Sequence, residues 1–571
     1  MDRHASDGTA PHATIATSAP AGGVARAAWL AAAAVALAAF LIRLVGLDHT
    51  PHFDELYHVL AGESLLHDGT LRLSADGAPY GRARLFTYLV AGSMALLGET
   101  LVAARMPAVV AGALLAGAVY LSVRRYGDPV AAGLAGGFVA LAPTDLYLSQ
   151  LARFYSLHAL LIWGMAMAVF ALAAGAARPD RRGLALALAM IVGMAVAYAL
   201  QPSTAVAGGA LAIAAAPVAA WTYRRRLRAV SRRTWVLAAG AAGLALAWFA
   251  LAGPGPRLVA GYRNPGSITI GRDVSARFYF DYFGRLFGVL WAALPALAAI
   301  ALTRRPRFVA YLAVFALASF AAVSLSTWRH ERYVYFALPA VYAVAALGLS
   351  TAFRWLREAW EARLLRGGRH AARARRAAFA IAMASAVAAA AFAAPTVDAV
   401  AYTYRMLTVS DADWWLGGHF RGEADWERAA RSLAGMDHPR GAVVASSPNK
   451  AAYYLGDVDY ILLARTVARV DGGFQEPGLD RRWNRPEVAS ADAVAAIMAC
   501  RPSGVFVIER REWRRPEGVP DATADRIERN TRPLAVPPDT RVMAFAWAPG
   551  DAPAAPPAGW SCGADGRASR D

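Results

Sequence analysis

The run AWLAAAAVALAAFLIRLVGL (residues 28–47) leads straight into DHTPHFDELYH (residues 48–58). The first segment has the length and apolar content of a helix that crosses hydrocarbon, about 20 residues. The second sets Asp54 and Glu55 just past its end. Ionisable groups held beside a bilayer are costly unless they have a task there, so the junction reads as an anchor leading into chemistry at the membrane face. The run is too long for a signal-peptide core and has no convincing cleavage site, so it reads as a retained anchor. Residues 1–26, rich in Ala, Thr, Ser, Gly and Pro, read as a disordered cytoplasmic tail.

Apolar runs of similar length recur at 106–123, 130–148, 157–177, 183–200, 205–223, 234–252, 278–303, 308–327, 333–353 and 377–394, which makes about eleven spans. With 57% hydrophobic residues over 571 positions, the chain is expected to be a polytopic α-helical membrane protein. Residues 85–98 are apolar but too few to span, and read as an interfacial or re-entrant helix. Leaving them out puts the dense arginine clusters (124–125, 178–182, 224–233, 304–307 and 354–376) on one side, as the positive-inside rule requires of the cytosol. The N-terminus is then inside and the C-terminus outside. The first outer loop is 48–105, within a transmembrane domain of 27–397. The net charge of +18 is topogenic loop charge on this reading, which excludes nucleic acid as a partner.

Residues 398–571 gain Asp, Glu and Pro and lose the long apolar runs. Helical patterns at 426–436, 450–455 and 491–500 alternate with short apolar strands at 441–446, 459–463 and 504–509, the mark of a soluble, extracytoplasmic α/β domain. No Gly-rich phosphate loop opens a helix there, so no nucleotide is assigned. Cys500 and Cys562 are either a disulfide or two unrelated thiols. The last 25 or so residues, rich in Pro, Ala and Gly, are expected to be loose.

Arginines persist on the outer face: Arg82 and Arg84 in the first loop, Arg153 in QLARFYS (150–156), and Arg332 in WRHERY (328–333). Each stands beside an aromatic, which alone is the ordinary interfacial belt. Gathered with a carboxylate pair they suggest a site for a lipid phosphate, which guanidinium binds bidentately. Arg43, inside the first span, either snorkels or pairs with a carboxylate. Tyr57 and His58 are acceptor-contacting or packing residues.

The order of these motifs resembles the GT-C glycosyltransferases, in particular the bacterial relatives of protein O-mannosyltransferases and of the lipid A aminoarabinose transferases. It runs Ile42-Arg43-Leu44, Asp54-Glu55-Leu56-Tyr57, Ala104-Arg105-Met106-Pro107, Ala152 to Leu157, then Glu331-Arg332-Tyr333 with Pro339, over roughly residues 28–400. The resemblance implies a GT-C fold and transfer of a sugar from a polyprenyl-phosphate donor to a hydroxyl on a lipid, protein or glycan, at the outer face of the bacterial inner membrane. It implies that Asp54 is the general base, that Glu55 orients the acceptor or Asp54, and that Arg82 or Arg84, Arg153, Tyr155, Arg332 and Tyr333 hold the donor phosphate. His330, with Tyr57 and His58, falls to the acceptor side. No cofactor is expected; a divalent ion stays open, because His49, His52, His58, His330 and Glu331 lack regular ligand spacing. The rival function is a lipid-linked sugar transporter or flippase that does no chemistry.

Overall fold

The computed structural model describes residues 22–175, 181–228, 231, 233, 240, 277–325, 330–364, 424–436, 441–470 and 473–570. The tail 1–21, the expected spans at 234–252 (but for 240) and 377–394, and Trp328 and Arg329 lie outside them. The helices that frame the site are α1 (Gly22–Leu44), α2 (Leu56–Asp68), α3 (Arg84–Leu97), α4 (Leu101–Tyr126), α5 (Pro129–Leu141), α6 (Pro143–Ser149) and α7 (Tyr155–Ala173). Among the described residues, seven helices are long and apolar enough to cross a membrane: Ala25–Leu44, Leu101–Tyr126, Tyr155–Ala173, Gly183–Leu200, Thr204–Arg224, Pro306–Ser324 and Tyr335–Glu358. α3 stays below spanning length, as its composition implied.

Two runs expected to be continuous spans are broken. The run 130–148 bends by 54° between α5 and α6, and 278–303 bends by 100° between Phe278–Phe287 and Val289–Leu302. At the first break Ala142 is extended (ψ 132°) before Pro143, because a residue preceding proline is pushed out of the helical region. At the second, Gly288 has φ 50°, a conformation that glycine adopts without strain.

A break among membrane helices frees carbonyls that need donors. Arg43 supplies them and neither snorkels nor pairs with a carboxylate. Its fully buried guanidinium donates to Val139 O (2.9 Å), Ala140 O (3.2 Å), Ala39 O (3.0 Å) and Ser149 Oγ (2.7 Å), sealing the end of α5. The fit depends on Gly112 of α4, where an added Cβ would lie 2.7 Å from Ser149 Cβ and 2.9 Å from Arg43 Nε.

Among the described residues the C-terminal region holds eleven short strands: β1 (Ala442–Ala445), β2 (Tyr460–Leu462), β3 (Arg469–Val470), β4 (Gly473–Phe474), β5 (Gly478–Asp480), β6 (Arg485–Val488), β7 (Gly504–Glu509), β8 (Arg532–Pro533), β9 (Val542–Trp547), β10 (Trp560–Cys562) and β11 (Ala568–Arg570). Seven form one sheet in the order β5-β6-β2-β1-β7-β9-β8. Its centre, β6-β2-β1-β7, is parallel, and β5, β9 and β8 pair antiparallel at the edges. β7, GVFVIE, is buried along its whole length, as a strand covered on both faces must be.

The tail is not loose. β10 and β11 form a hairpin, Trp560 is buried, Ala568 N–H donates to Tyr460 Oη (2.9 Å), and Cys562 is bridged to Cys500. Composition missed this because the disulfide and one buried aromatic supply the order that an apolar run would otherwise give.

The sheet also shares a core with the first loop of the membrane domain: Ala61, Leu73 and Tyr80 pack with Trp426, Ile461, Trp483 and Val507. Asp76 accepts two bonds from Arg485 Nη1 (2.8 and 2.9 Å), Ser74 Oγ donates to Trp483 O (2.7 Å), and Ala78 N–H donates to Arg481 O (2.8 Å). At Gly77 a Cβ would stand 2.1 Å from Arg482 O, so the two backbones meet where only glycine fits.

Candidate active site

Three irregular segments converge at one end of the helices. The loop after α1 turns at residues 52–55, with Glu55 N–H donating to His52 O (3.1 Å), and so sets Asp54 and Glu55 at the start of α2. The link between α6 and α7 carries Arg153. A 3-10 turn, Glu331–Tyr333, carries Arg332. Between them lies a small pocket lined by His52, Asp54, Tyr147, Leu148, Leu151, Arg153, Tyr155, His330 and Arg332. One wall is polar and the other, from Tyr147 to Leu151, largely apolar.

Asp54 Oδ2 accepts from Arg332 Nη1 at 2.5 Å. Arg153, almost fully buried, donates to the Asp54 carbonyl (3.0 Å) and to Tyr155 Oη (3.3 Å), and its guanidinium lies 5.0 Å from the Phe154 ring centroid. The Arg82 guanidinium lies 5.8 Å from the centroid of the same Phe154 ring. Burial pushes the Asp54 carboxyl upward, but Arg332, Arg153, His52 and Arg82 outweigh it and hold the group well below the usual carboxylate range. Tyr155 lines the pocket; Tyr333 does not, and its ring lies 5.5 Å from the Arg332 guanidinium. His330 lines it too, with Nδ1 2.8 Å from Glu331 Oε2.

The other expected residues are placed differently. Glu55 is fully buried and faces away from the pocket. Its two oxygens accept from Arg105 Nη2 (2.6 Å) and Nε (2.9 Å), from His52 N–H (2.8 Å) and from Ala152 N–H (2.8 Å). An acceptor-orienting role is not met by this geometry, because no oxygen is left for an incoming hydroxyl. Arg84 is exposed at the first turn of α3 and makes none of the contacts to Asp54 seen among the described residues. His58 packs edge-on against Tyr80, Phe86 and Phe154, bonds Thr87 Oγ1 (2.8 Å), and is kept neutral by burial and by Arg153 and Arg82. Tyr57 stacks on Tyr80 (5.6 Å) and accepts from Arg482 Nη1 (2.9 Å), which makes it a link to the α/β domain.

Sequence reasoning passed over four participants. Arg105 enters the sequence reading only within Ala-Arg-Met-Pro; its signal is an arginine one residue before an apolar run, where a buried partner is needed. His52, Tyr147 and Asn449 carry no local signal that separates them from loop or belt residues. Among the described residues no group of three or more His, Cys, Asp or Glu is arranged to hold a metal ion.

No family model and no curated protein matches the chain. Solved structures do. ArnT from Cupriavidus metallidurans in the apo state superposes with a TM-score of 0.55 at 18% identity, covering 93% of this chain and 99% of that one. The same protein bound to undecaprenyl phosphate gives 0.52 at 18% identity, covering 93% and 100%. The archaeal oligosaccharyltransferase AglB from Archaeoglobus fulgidus, in complex with an inhibitory peptide and a dolichol-phosphate, gives 0.51 at 15% identity, covering 74% and 63%. With one superposition covering 93% of this chain and 99% of the apo structure, the chain has the GT-C fold.

Proposed function

We propose that the protein is a glycosyltransferase that moves a sugar from a polyprenyl-phosphate carrier to a hydroxyl-bearing acceptor at the non-cytosolic face of the bacterial inner membrane. The observation that carries this is a single carboxylate, Asp54, in a pocket faced by the guanidiniums of Arg332 and Arg153 with Arg82 close by. The donor phosphate is the natural occupant of such a cationic cup. Neighbouring folds support it, one bound to undecaprenyl phosphate and one to dolichol-phosphate.

The reaction divides among these residues. Arg332 and Arg153 bind the donor phosphate and offset the negative charge that grows on it as the bond to the anomeric carbon breaks. Asp54 accepts the proton of the attacking hydroxyl. Without donor, Arg332 lies on Asp54 and makes it a weak base. A phosphate drawing that guanidinium to itself, and cancelling part of the local positive charge, lets burial raise Asp54 toward a useful basicity. The base therefore becomes competent only when donor is present. His330, steadied by Glu331, faces the same pocket from the acceptor side.

The Cys500–Cys562 bridge supports an oxidising, extracytoplasmic setting for the α/β domain. Broken helices are also a feature of transporters of lipid-linked sugars. Here, however, the carbonyls freed at the break between α5 and α6 are capped by Arg43.

The test is transfer of labelled sugar from a polyprenyl-phosphate donor in membranes carrying wild type or Asp54→Asn. A fall in kcat of about 10²- to 10⁴-fold, the usual span for a general base, with normal membrane insertion supports the reading. Near-full activity removes Asp54 from the base role. Movement of donor across vesicles without product replaces the enzyme with a transporter.

A further inference from the structure

The central sheet of the α/β domain changes direction at β1. From β1 the chain winds to β2 and β6 on one side, then crosses by the helix Ala491–Cys500 to β7 on the other. Such a switch point opens a crevice outside the carboxyl ends of the two strands, where doubly wound sheets take their ligands. In this protein the crevice is filled from within. At the end of β1, Ser446 Oγ accepts from Glu509 N–H at the end of β7 (2.9 Å). Lys450, the chain's lone lysine and fully buried, sets Nζ 3.2 Å from Glu509 Oε1, which also accepts from Trp426 Nε1 (3.0 Å). These contacts fix the first turn of the helix Pro448–Leu455.

That turn presents Asn449, 1% exposed, to the membrane domain. Its Nδ2 donates to the carbonyl of Phe53 at 2.7 Å, across 396 residues of sequence. The next carbonyl, that of Asp54, accepts from Arg153 Nη1 at 3.0 Å. The peptide planes on both sides of the Asp54 Cα are thus held, one by the soluble domain and one by the turn before α7. The turn's own bonds and the Glu55–Arg105 pair shape this loop, and these two bonds hold the peptides that flank Asp54 itself.

We infer that the switch-point crevice of the α/β domain is a clamp on the loop bearing Asp54, with Asn449 as a positioning residue for the transfer reaction. The ligand of this crevice is the membrane domain's own loop. The inference rests on Asp54 being the base. A displacement of about 1 Å in a reacting group can cost about 10²-fold in rate, so loss of the contact acts on turnover and leaves donor binding alone.

The experiment compares full-length Asn449→Ala and Asn449→Asp, both lacking the donor to Phe53, with Arg485→Ala, which removes a docking contact to Asp76 remote from the pocket. The two Asn449 variants are expected to lose 10- to 100-fold in kcat with donor KM within about threefold and Tm unchanged, and to exchange the amides of residues 52–55 faster, while Arg485→Ala keeps wild-type kcat. Wild-type kcat in either folded Asn449 variant overturns the clamp. An equal loss in Arg485→Ala overturns it too, since loosened docking anywhere would then suffice. Should Asn449→Ala not fold, Asn449→Asp carries the same comparison. Asp54→Asn run alongside keeps the two readings apart: activity in Asp54→Asn removes the base, whereas an inactive Asp54→Asn beside a fully active Asn449→Ala removes only the clamp.

Discussion

Asp54 and Glu55 are neighbours in sequence, both carboxylates and both paired with arginine, yet one is closed and the other open. Glu55 meets Arg105 with both partners at zero exposure, and its oxygens are saturated by the guanidinium fork and two backbone amides. Arg105 in turn ties down Leu47 O (2.6 Å) and His49 O (2.9 Å), so the pair fastens the end of α1 to α4. Asp54 meets Arg332 through one oxygen at the wall of a pocket, with both side chains partly exposed. The difference lies in how many lone pairs remain. A saturated carboxylate holds structure, whereas an unsaturated one facing a cavity can exchange its partner for a substrate.

The sharpest way to break this contrast is to neutralise each acid in turn. Asp54→Asn is expected to remove about 10²- to 10⁴-fold of kcat while leaving the folded protein intact. Glu55→Gln is expected to do the reverse, leaving Arg105 buried beside a neutral amide and costing about 3–5 kcal/mol of stability. Thermal unfolding in detergent reads that loss. If Glu55→Gln folds normally and only slows turnover, the division of labour between the two acids is wrong. The pH dependence has the same asymmetry. Burial raises the Glu55 carboxyl but Arg105 lowers it further, so the native state binds that proton more weakly than the unfolded chain. The pair's contribution is therefore complete above the unfolded value of about 4.3 and fades as pH falls below it.

Arg332 offers the next test. Arg332→Lys keeps the charge but loses the fork, and donor KM is expected to rise about tenfold because an ammonium is a poor bidentate partner for phosphate. Arg332→Met removes the strongest of the charges that hold Asp54 down. Burial then dominates and the Asp54 value rises. Since the base must be ionised, the acidic limb of kcat/KM, which reports the free enzyme, is expected to move to higher pH in this variant. A profile that does not move places the titrating base elsewhere.

Much of this was legible beforehand, for identifiable reasons. Hydropathy marks spans directly, and Arg153 and Arg332 stood out as cations on a face where few belong. The strands at 441–446, 459–463 and 504–509 were visible as short apolar runs, and the helix at 491–500 agrees with Ala491–Cys500. The break at 142–143 was hidden because its flanks are as apolar as any span; only Pro143 hinted at it. Glu55 could not be told from Asp54, since Arg105 lies 50 residues away and saturation is a property of three dimensions. Asn449 is more remote still, on a domain whose role composition does not address.

The smallest expected effect separates Arg82 from Arg84, which the sequence left as equals. Arg82 is exposed at its surface yet acts on Asp54 and His58 and lies over Phe154. Arg84 begins α3 on its exposed side. Arg82→Ala is expected to raise donor KM a few-fold, and Arg84→Ala to stay within twofold of wild type. Because Arg82 is solvent-facing, its contribution is open to screening, with a Debye length of about 10 Å at 0.1 M salt shrinking to about 3 Å at 1 M. The gap between wild type and Arg82→Ala is therefore expected to narrow as salt rises, while the defect of Arg332→Lys, inside the pocket, persists. A gap that ignores salt would mean Arg82 holds the phosphate by direct contact, and would move it from the rim of the site into its wall.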